Sequence, residues 1–311
     1  MRSAWIGAAA LAWMICSSSA AQERGAADGL VGSWTLVAAE RDVASGEPTR
    51  IPGPHGLLVL DSVGHVFEFF GLASREKPES PRLDPARTFA DFGGFWGRYK
   101  VAGDGRIDFE SEAGVSPNVL GLKFSRTFDL DGDRLVLTST REPQAQGDKR
   151  WTWQRVPTVE LTPTYREVVG FWQHVDERRV NLSTGEVESV RHRGPSVIVY
   201  TPAGYFGVHF PTPDREPFAT DTPTAEEAQA AFRSYIGYFG ALGVYPGEVA
   251  HNVLAGVQPS AGAILRRFAD IKGDEAVLTL PLGAQASANG SQLVTTVRMR
   301  RLSGLNDMLP R

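Results

Sequence analysis

One block of this sequence is written twice, and that duplication limits the folds open to the chain more than any other feature. Leu30-Val31-Gly32-Ser33-Trp34 returns as Val168-Val169-Gly170-Phe171-Trp172. Ser45-Gly46-Glu47 returns as Thr184-Gly185-Glu186, and Val59 to Phe70 returns as Val199 to Phe210 with Gly64 falling on Gly204. Phe89, Phe92, Gly94, Phe95, Trp96 and Gly97 match Phe232, Tyr235, Gly237, Tyr238, Phe239 and Gly240. Arg126-Thr-Phe128 with Gly132-Asp133 matches Arg266-Arg-Phe268 with Gly273-Asp274. The matches keep their order at an offset of about 140 residues, a length that suits one domain. The spacing predicts a first domain over 28–156, a linker over 157–165 rich in proline and threonine, a second domain over 166–303 and a flexible tail over 304–311.

Within each copy the local pattern is mostly strand. Gly56 to Leu60 and Val66 to Phe70 are β-branched and aromatic runs around a turn at Ser62-Val63-Gly64, and Val197 to Tyr200 and Tyr205 to Phe210 repeat that layout. In the later strand Tyr205, Gly207 and His209 share one face, and Phe206, Val208 and Phe210 the other. Asp104-Gly105, Asp131-Gly132 and Lys272-Gly273 are hairpin signals. One helix is predicted in the second copy: Ala225, Ala228, Phe232, Tyr235, Ile236 and Phe239 fall on one face of a 3.6-residue period. Thr224 and Glu227 form a capping box at its start, and Gly240 and Gly243 end it. The matching helix of the first copy, Ala86 to Gly97, is interrupted by Gly93 and Gly94.

The amino terminus reads as a secretory signal peptide over residues 1–21. Arg2 precedes an apolar run from Ala4 to Ile15, shorter than the ~20 residues of a membrane span. Small residues from Ser17 to Ala21 place cleavage after Ala20 or Ala21. Cys16 is the only cysteine, so the mature chain would carry none; Trp13, Met14 and Ile15 are too large for a lipoprotein signal. A periplasmic or secreted location follows, with no transmembrane segment in the mature protein. The 33 Gly and 20 Pro are spread along the chain, as many short strands with tight turns require. A formal net charge of −4 without a basic patch argues against nucleic acid as a partner.

In the second copy, Val169-Gly170-Phe171-Trp172, Ser234 to Gly240, Val249 to Val253, Arg266-Arg267-Phe268 and Gly273-Asp274 to Leu280 follow one another in an order that resembles the bacterial and fungal lipocalin-like domain family. The likeness spans nearly all of 166–303. The first copy matches at its opening, at Ser116-Pro117-Asn118 and at its closing hairpin, and carries the Phe109 region where the second has His251. The resemblance implies an all-β chain of two tandem small β-barrels, each with one short helix inserted mid-domain and room for an internal cavity. It implies no particular reaction.

The chemistry the sequence lacks narrows the function. There is no phosphate-binding glycine loop, dinucleotide fingerprint, His-Glu-x-x-His pair, cysteine cluster or Gly-x-Ser-x-Gly elbow, so no cofactor and no metal is expected. Asp129-Leu130-Asp131-Gly132-Asp133 reads as a hairpin turn rather than half a calcium loop. What remains is a set of aromatic and polar side chains in the second copy: His209, Tyr235, Tyr238, His251, Asn252 and Arg266. If they converge they make an aromatic cavity with a few hydrogen-bonding groups, the usual form of a small-molecule site. The favoured reading is an exported protein that binds a small hydrophobic molecule in the second barrel. The alternatives are a cofactor-independent isomerase, cyclase or hydrolase with a His or Tyr as acid or base, and a structural or interaction module whose barrels are filled. Trp34 and Trp172 are expected to close the barrel floors, and Phe92, Phe95 and Trp96 mark the first copy as the filled support.

Overall fold

A computed structural model of the chain describes residues 27–42, 46–71, 85, 91–139, 148–220, 222–258, 260–281 and 292–310. The signal peptide expected over 1–21 lies outside them, as do residues 86–90 of the first predicted helix.

Each repeat becomes a closed antiparallel barrel. The first holds β1 (Gly32–Arg41), β2 (Thr49–Ile51), β3 (His55–Leu60), β4 (His65–Gly71), β5 (Phe92–Ala102), β6 (Arg106–Gly114), β7 (Lys123–Asp131), β8 (Arg134–Ser139) and β9 (Lys149–Arg155). The second holds β10 (Gly170–Asn181), β11 (Val187–Arg191), β12 (Val197–Tyr200), β13 (Tyr205–Pro211), β14 (Tyr235–Tyr245), β15 (Glu248–Gly256), β16 (Ile264–Lys272), β17 (Glu275–Thr279) and β18 (Leu293–Ser303). The first strand of each barrel pairs with the last, β1 with β9 and β10 with β18, so eight strands close the ring. The ninth, β2 or β11, pairs with the far end of the opening strand. Closure removes the open sheet edges that would otherwise template aggregation. The hairpin signals hold: Gly105, Gly132 and Gly273 turn with φ of 75°, 57° and 61°, a region where a side chain would be strained.

The floor of each barrel is built identically. The Trp34 indole donates to the Leu30 carbonyl at 3.0 Å, and Trp172 donates to Val168 at 2.8 Å. Arg155 lies 4.0 Å above the Trp34 ring and Arg301 lies 4.1 Å above Trp172. Both arginines also donate back to the segment before the opening strand, to Val31 and Val169. Each guanidinium thus adds a cation–π contact to the hydrogen bonds that tie the last strand to the first.

The helix expectation fails here for an identifiable reason. The long helix of the second copy stops at Arg233: it spans Ala225–Arg233, with the Thr224–Glu227 capping box in place, and Tyr235 already begins β14. The aromatic spacing of Tyr235, Ile236 and Phe239 matched a helical face by coincidence. Glycines at 237, 240 and 243 each cost a helix about 1 kcal/mol relative to alanine, and in the strand those at 237 and 240 are required. A Cβ on Gly240 would run into the Asn252 carbonyl, and one on Gly237 into the Tyr235 ring. Phe92 to Gly97 of the first copy are likewise strand. After β18 comes a helical turn, Leu305–Met308, with Met308 buried in the core and the Asp307 carbonyl accepting from the Ser62 amide. The linker likewise ends in a helix, Pro163–Val168, capped by Thr162.

The barrels are packed against each other through β3–β5 of the first and β12–β14 of the second. Every residue of β4 is buried because both of its faces are covered, one by its own barrel and one by the neighbour. Phe67 lies where Gly207, its counterpart in the second barrel, has no side chain. Phe69, Phe92 and Phe239 cluster beside it. The Trp96 indole donates to Pro195 at 3.0 Å, and Arg215 reaches across to the carbonyls of Gly114 and Val115 at 2.8 and 2.7 Å. Asn118 brackets the Phe218 backbone, accepting from its amide at 2.6 Å.

Candidate functional site

The strand registers allow the two barrel interiors to be compared position by position. Glu68 faces Phe95 across β4–β5 as Val208 faces Tyr238 across β13–β14. Ile107 pairs with Arg126 and Phe109 with Phe124, as Val249 pairs with Arg267 and His251 with Leu265. Leu137 pairs with Trp151 as Leu278 pairs with Val297.

In the first barrel these positions are taken up by a buried ion pair inside an aromatic cage. Arg126 donates to Glu68 at 2.5 Å, with both side chains almost fully buried. The rings of Phe95, Phe109, Phe124 and Trp151 lie 5.8, 5.5, 5.2 and 4.4 Å from the guanidinium carbon. In the second barrel tryptophan becomes Val297, phenylalanine becomes Leu265 and glutamate becomes Val208. Each exchange removes atoms, and the space left is a cavity of about 280 Å³. This lies near the lower end of the ~300 to 1,000 Å³ usual for small-molecule sites. Ile198, Phe210, Leu278 and Leu280 extend its apolar wall. Two further exchanges place polar groups in that wall: Phe95 becomes Tyr238 and Phe109 becomes His251.

The polar groups are chained together. Arg267 lies beside the Tyr238 hydroxyl, its charge opposing the rise that burial gives the phenol, and that hydroxyl lies 3.5 Å from His251 Nδ1. His251 Nε2 is 3.0 Å from the Tyr200 hydroxyl, and the imidazole stacks on Phe206 at 4.1 Å. Burial, reinforced by the Arg267 charge, pulls the His251 pKa down to about 3, so it is neutral at pH 7. Burial pushes both tyrosines up. Toward one end, Arg193 pairs with Glu177 at 2.9 Å and covers the Phe210 ring. Gln258, also in the lining, is pinned to the β14 backbone at Tyr235 and Gly237.

Of the six candidate residues, the structure brings Tyr238 and His251 together at the cavity. His209 and Tyr235 meet each other elsewhere, between the barrels. His209 Nε2 is 3.0 Å from the Glu68 carbonyl and so must donate to it, which leaves Nδ1 to accept from the Tyr235 hydroxyl. Burial holds the His209 pKa at about 3. Asn252 faces away from the cavity and donates to the Ala241 carbonyl at 3.2 Å. Arg266 is on the outer wall, 59% exposed and paired with Glu248 at 2.5 Å; its neighbour Arg267 is the inward one. Arg267 and Tyr200 were not singled out from the sequence. The signal for Arg267 was present: shifting the repeat alignment by one residue places it on Arg126.

Two of the buried histidines, His209 and His251, predict an acid-sensitive fold. In the unfolded chain each titrates near pH 6.5, and in the folded chain at about 3. Between those values the unfolded state binds more protons, so stability falls as pH falls, by up to ~1.4 kcal/mol per pH unit for each histidine. Urea midpoints measured from pH 7 to pH 4 should drop, and His251→Phe, which installs the first barrel's residue, should flatten the slope by one histidine's share. An unchanged slope in that variant would mean His251 is solvated or already paired as a cation.

The sequence profile of the lipocalin-like domain matches residues 31–160 and 191–302. No curated protein matches the chain. Among solved structures, a protein of unknown function from the DUF3598 family of Nostoc punctiforme is 10% identical, covers 90% of this chain and 99% of its own, and superposes with a TM-score of 0.23. The Pseudomonas aeruginosa MucA/MucB complex is 12% identical over 94% of this chain and 96% of that one, with a TM-score of 0.14. Neither likeness is close enough to carry over a fold or an activity. The two profile matches together cover most of the sequence and fall on the two barrels, so the chain belongs to the lipocalin-like domain family and carries that domain twice.

Proposed function

We propose that this chain is an exported protein that binds a small hydrophobic molecule inside its second barrel. The observation that carries this reading is the contrast between the two interiors: equivalent positions hold Trp151, Phe124 and Glu68 in one barrel and Val297, Leu265 and Val208 in the other. An all-support role would be served by filling both. The polar groups in the wall are few and fixed, as orientation of a bound molecule requires. An acid–base role for His251 is less well supported, because its depressed pKa leaves it poorly matched to proton transfer near neutrality. Export rests on the leader read in residues 1–21.

The test is native mass spectrometry of the full mature chain purified from its own envelope. A small molecule that travels with the folded protein and leaves on denaturation supports the proposal. A bare mass that persists after incubation with an apolar extract of the same cells rejects it.

A further inference from the structure

The first barrel shows what a guanidinium at this place in the fold requires. Arg126 is buried beside Glu68, and the pair is closed in by four rings. A buried cation is tolerated only when an anion and hydrogen bonds compensate the water it has lost. Arg267 occupies the same register position in the second barrel and lines the cavity, half-buried rather than enclosed, and the residue that replaces Glu68 is Val208. Its hydrogen bond goes to the Arg266 carbonyl at 2.7 Å, and the Tyr238 hydroxyl lies beside it. Among the described residues no carboxylate forms an ion pair with it. The other charges in the lining, Glu177 and Arg193, cancel each other. One positive charge without a carboxylate partner among the described residues is therefore left in the cavity wall, close to Val208, Leu278 and Val297.

Resting on the reading of the second barrel as a binding site, we propose that its ligand is an anionic amphiphile: an apolar body bearing one carboxylate, which takes the place of Glu68 against Arg267 and Tyr238. A carboxylate suits the planar fork of a guanidinium, which can donate to both of its oxygens. It also brings the single negative charge the site lacks, whereas a phosphate monoester brings close to two. The Tyr238 hydroxyl, placed between Arg267 and His251, is a second donor within reach of the same head group. The aliphatic body lies along Val208, Leu278 and Val297, where the first barrel has its glutamate, leucine and tryptophan.

The experiment is isothermal titration of the full mature chain at pH 7 with decanoate and with decanamide, which has the same body and no charge. Decanoate should bind about tenfold or more tightly than decanamide, as a hydrogen bond to a charged group predicts. Arg267→Met should abolish that preference, so that decanoate and decanamide bind alike. Val208→Glu, which rebuilds the first barrel's ion pair, should also abolish it. Equal affinities in the unaltered protein would overturn the anion proposal and leave the hydrophobic binding site standing. A preference that survives Arg267→Met would overturn the assignment of Arg267. If neither compound binds a chain shown to be folded by circular dichroism, the binding reading fails, and this inference fails with it.

Discussion

Replacing Glu68 by valine while Arg126 remains should lower the unfolding free energy by about 3 to 5 kcal/mol. The variant copies the second barrel at this position, but it leaves the buried guanidinium inside a cage of Phe95, Phe109, Phe124 and Trp151 without the carboxylate that faces it. Removing both charges is a different matter. Glu68→Val with Arg126→Met should recover most of the loss, because a buried pair replaced by apolar groups of similar size is often neutral. Urea unfolding of the two single variants and the double variant measures the coupling directly. If Glu68→Val costs less than about 1 kcal/mol, the pair is solvated and the first barrel is not the closed support described above.

How much of this could be read in the sequence depended on whether the deciding information was local. Strands such as Val197–Tyr200 and Tyr205–Pro211 were legible because β-branched and aromatic runs sit between turn residues, and the glycine of each hairpin marks where the chain reverses. The duplication was legible because each barrel floor needs the same Gly and Trp. The helix over 225–240 was overread, since a few aromatics spaced three and four apart satisfy a helical period whatever the chain does. Facing was the larger difficulty. A one-residue slip turns a side chain to the opposite side of a sheet, so Arg266 and Arg267 cannot be told apart without knowing the register of β16. The bulge between Phe239 and Gly240 adds a further shift in β14. His209 was placed correctly on the face opposite Val208, but that face is an interior surface only because the other barrel covers it. Contact between two domains of one chain leaves no periodic trace.

The cavity itself should be removable. Val297→Trp together with Leu265→Phe reinstates the side chains of the first barrel at equivalent positions and should fill most of the space between Ile198, Leu278 and the Tyr238–His251 pair. Binding of decanoate, or of whatever molecule accompanies the native protein, should weaken by at least about a hundredfold, since the apolar body then has no volume to occupy. Stability should change little or rise, because overpacking costs its usual ~1 to 3 kcal/mol only where no space exists. The same pair of substitutions would leave ligand affinity untouched if the molecule bound between the barrels near His209 or on an outer wall.

The claim on which the account depends is that one barrel is hollow where the other is filled. A crystal of the mature chain pressurised with xenon tests it most directly, since xenon enters dry apolar cavities. The account predicts a xenon atom in the second barrel beside Val208, Leu278 and Val297, and none beside Arg126 in the first. Xenon in the first barrel at Arg126, or none beside Val297, would contradict it.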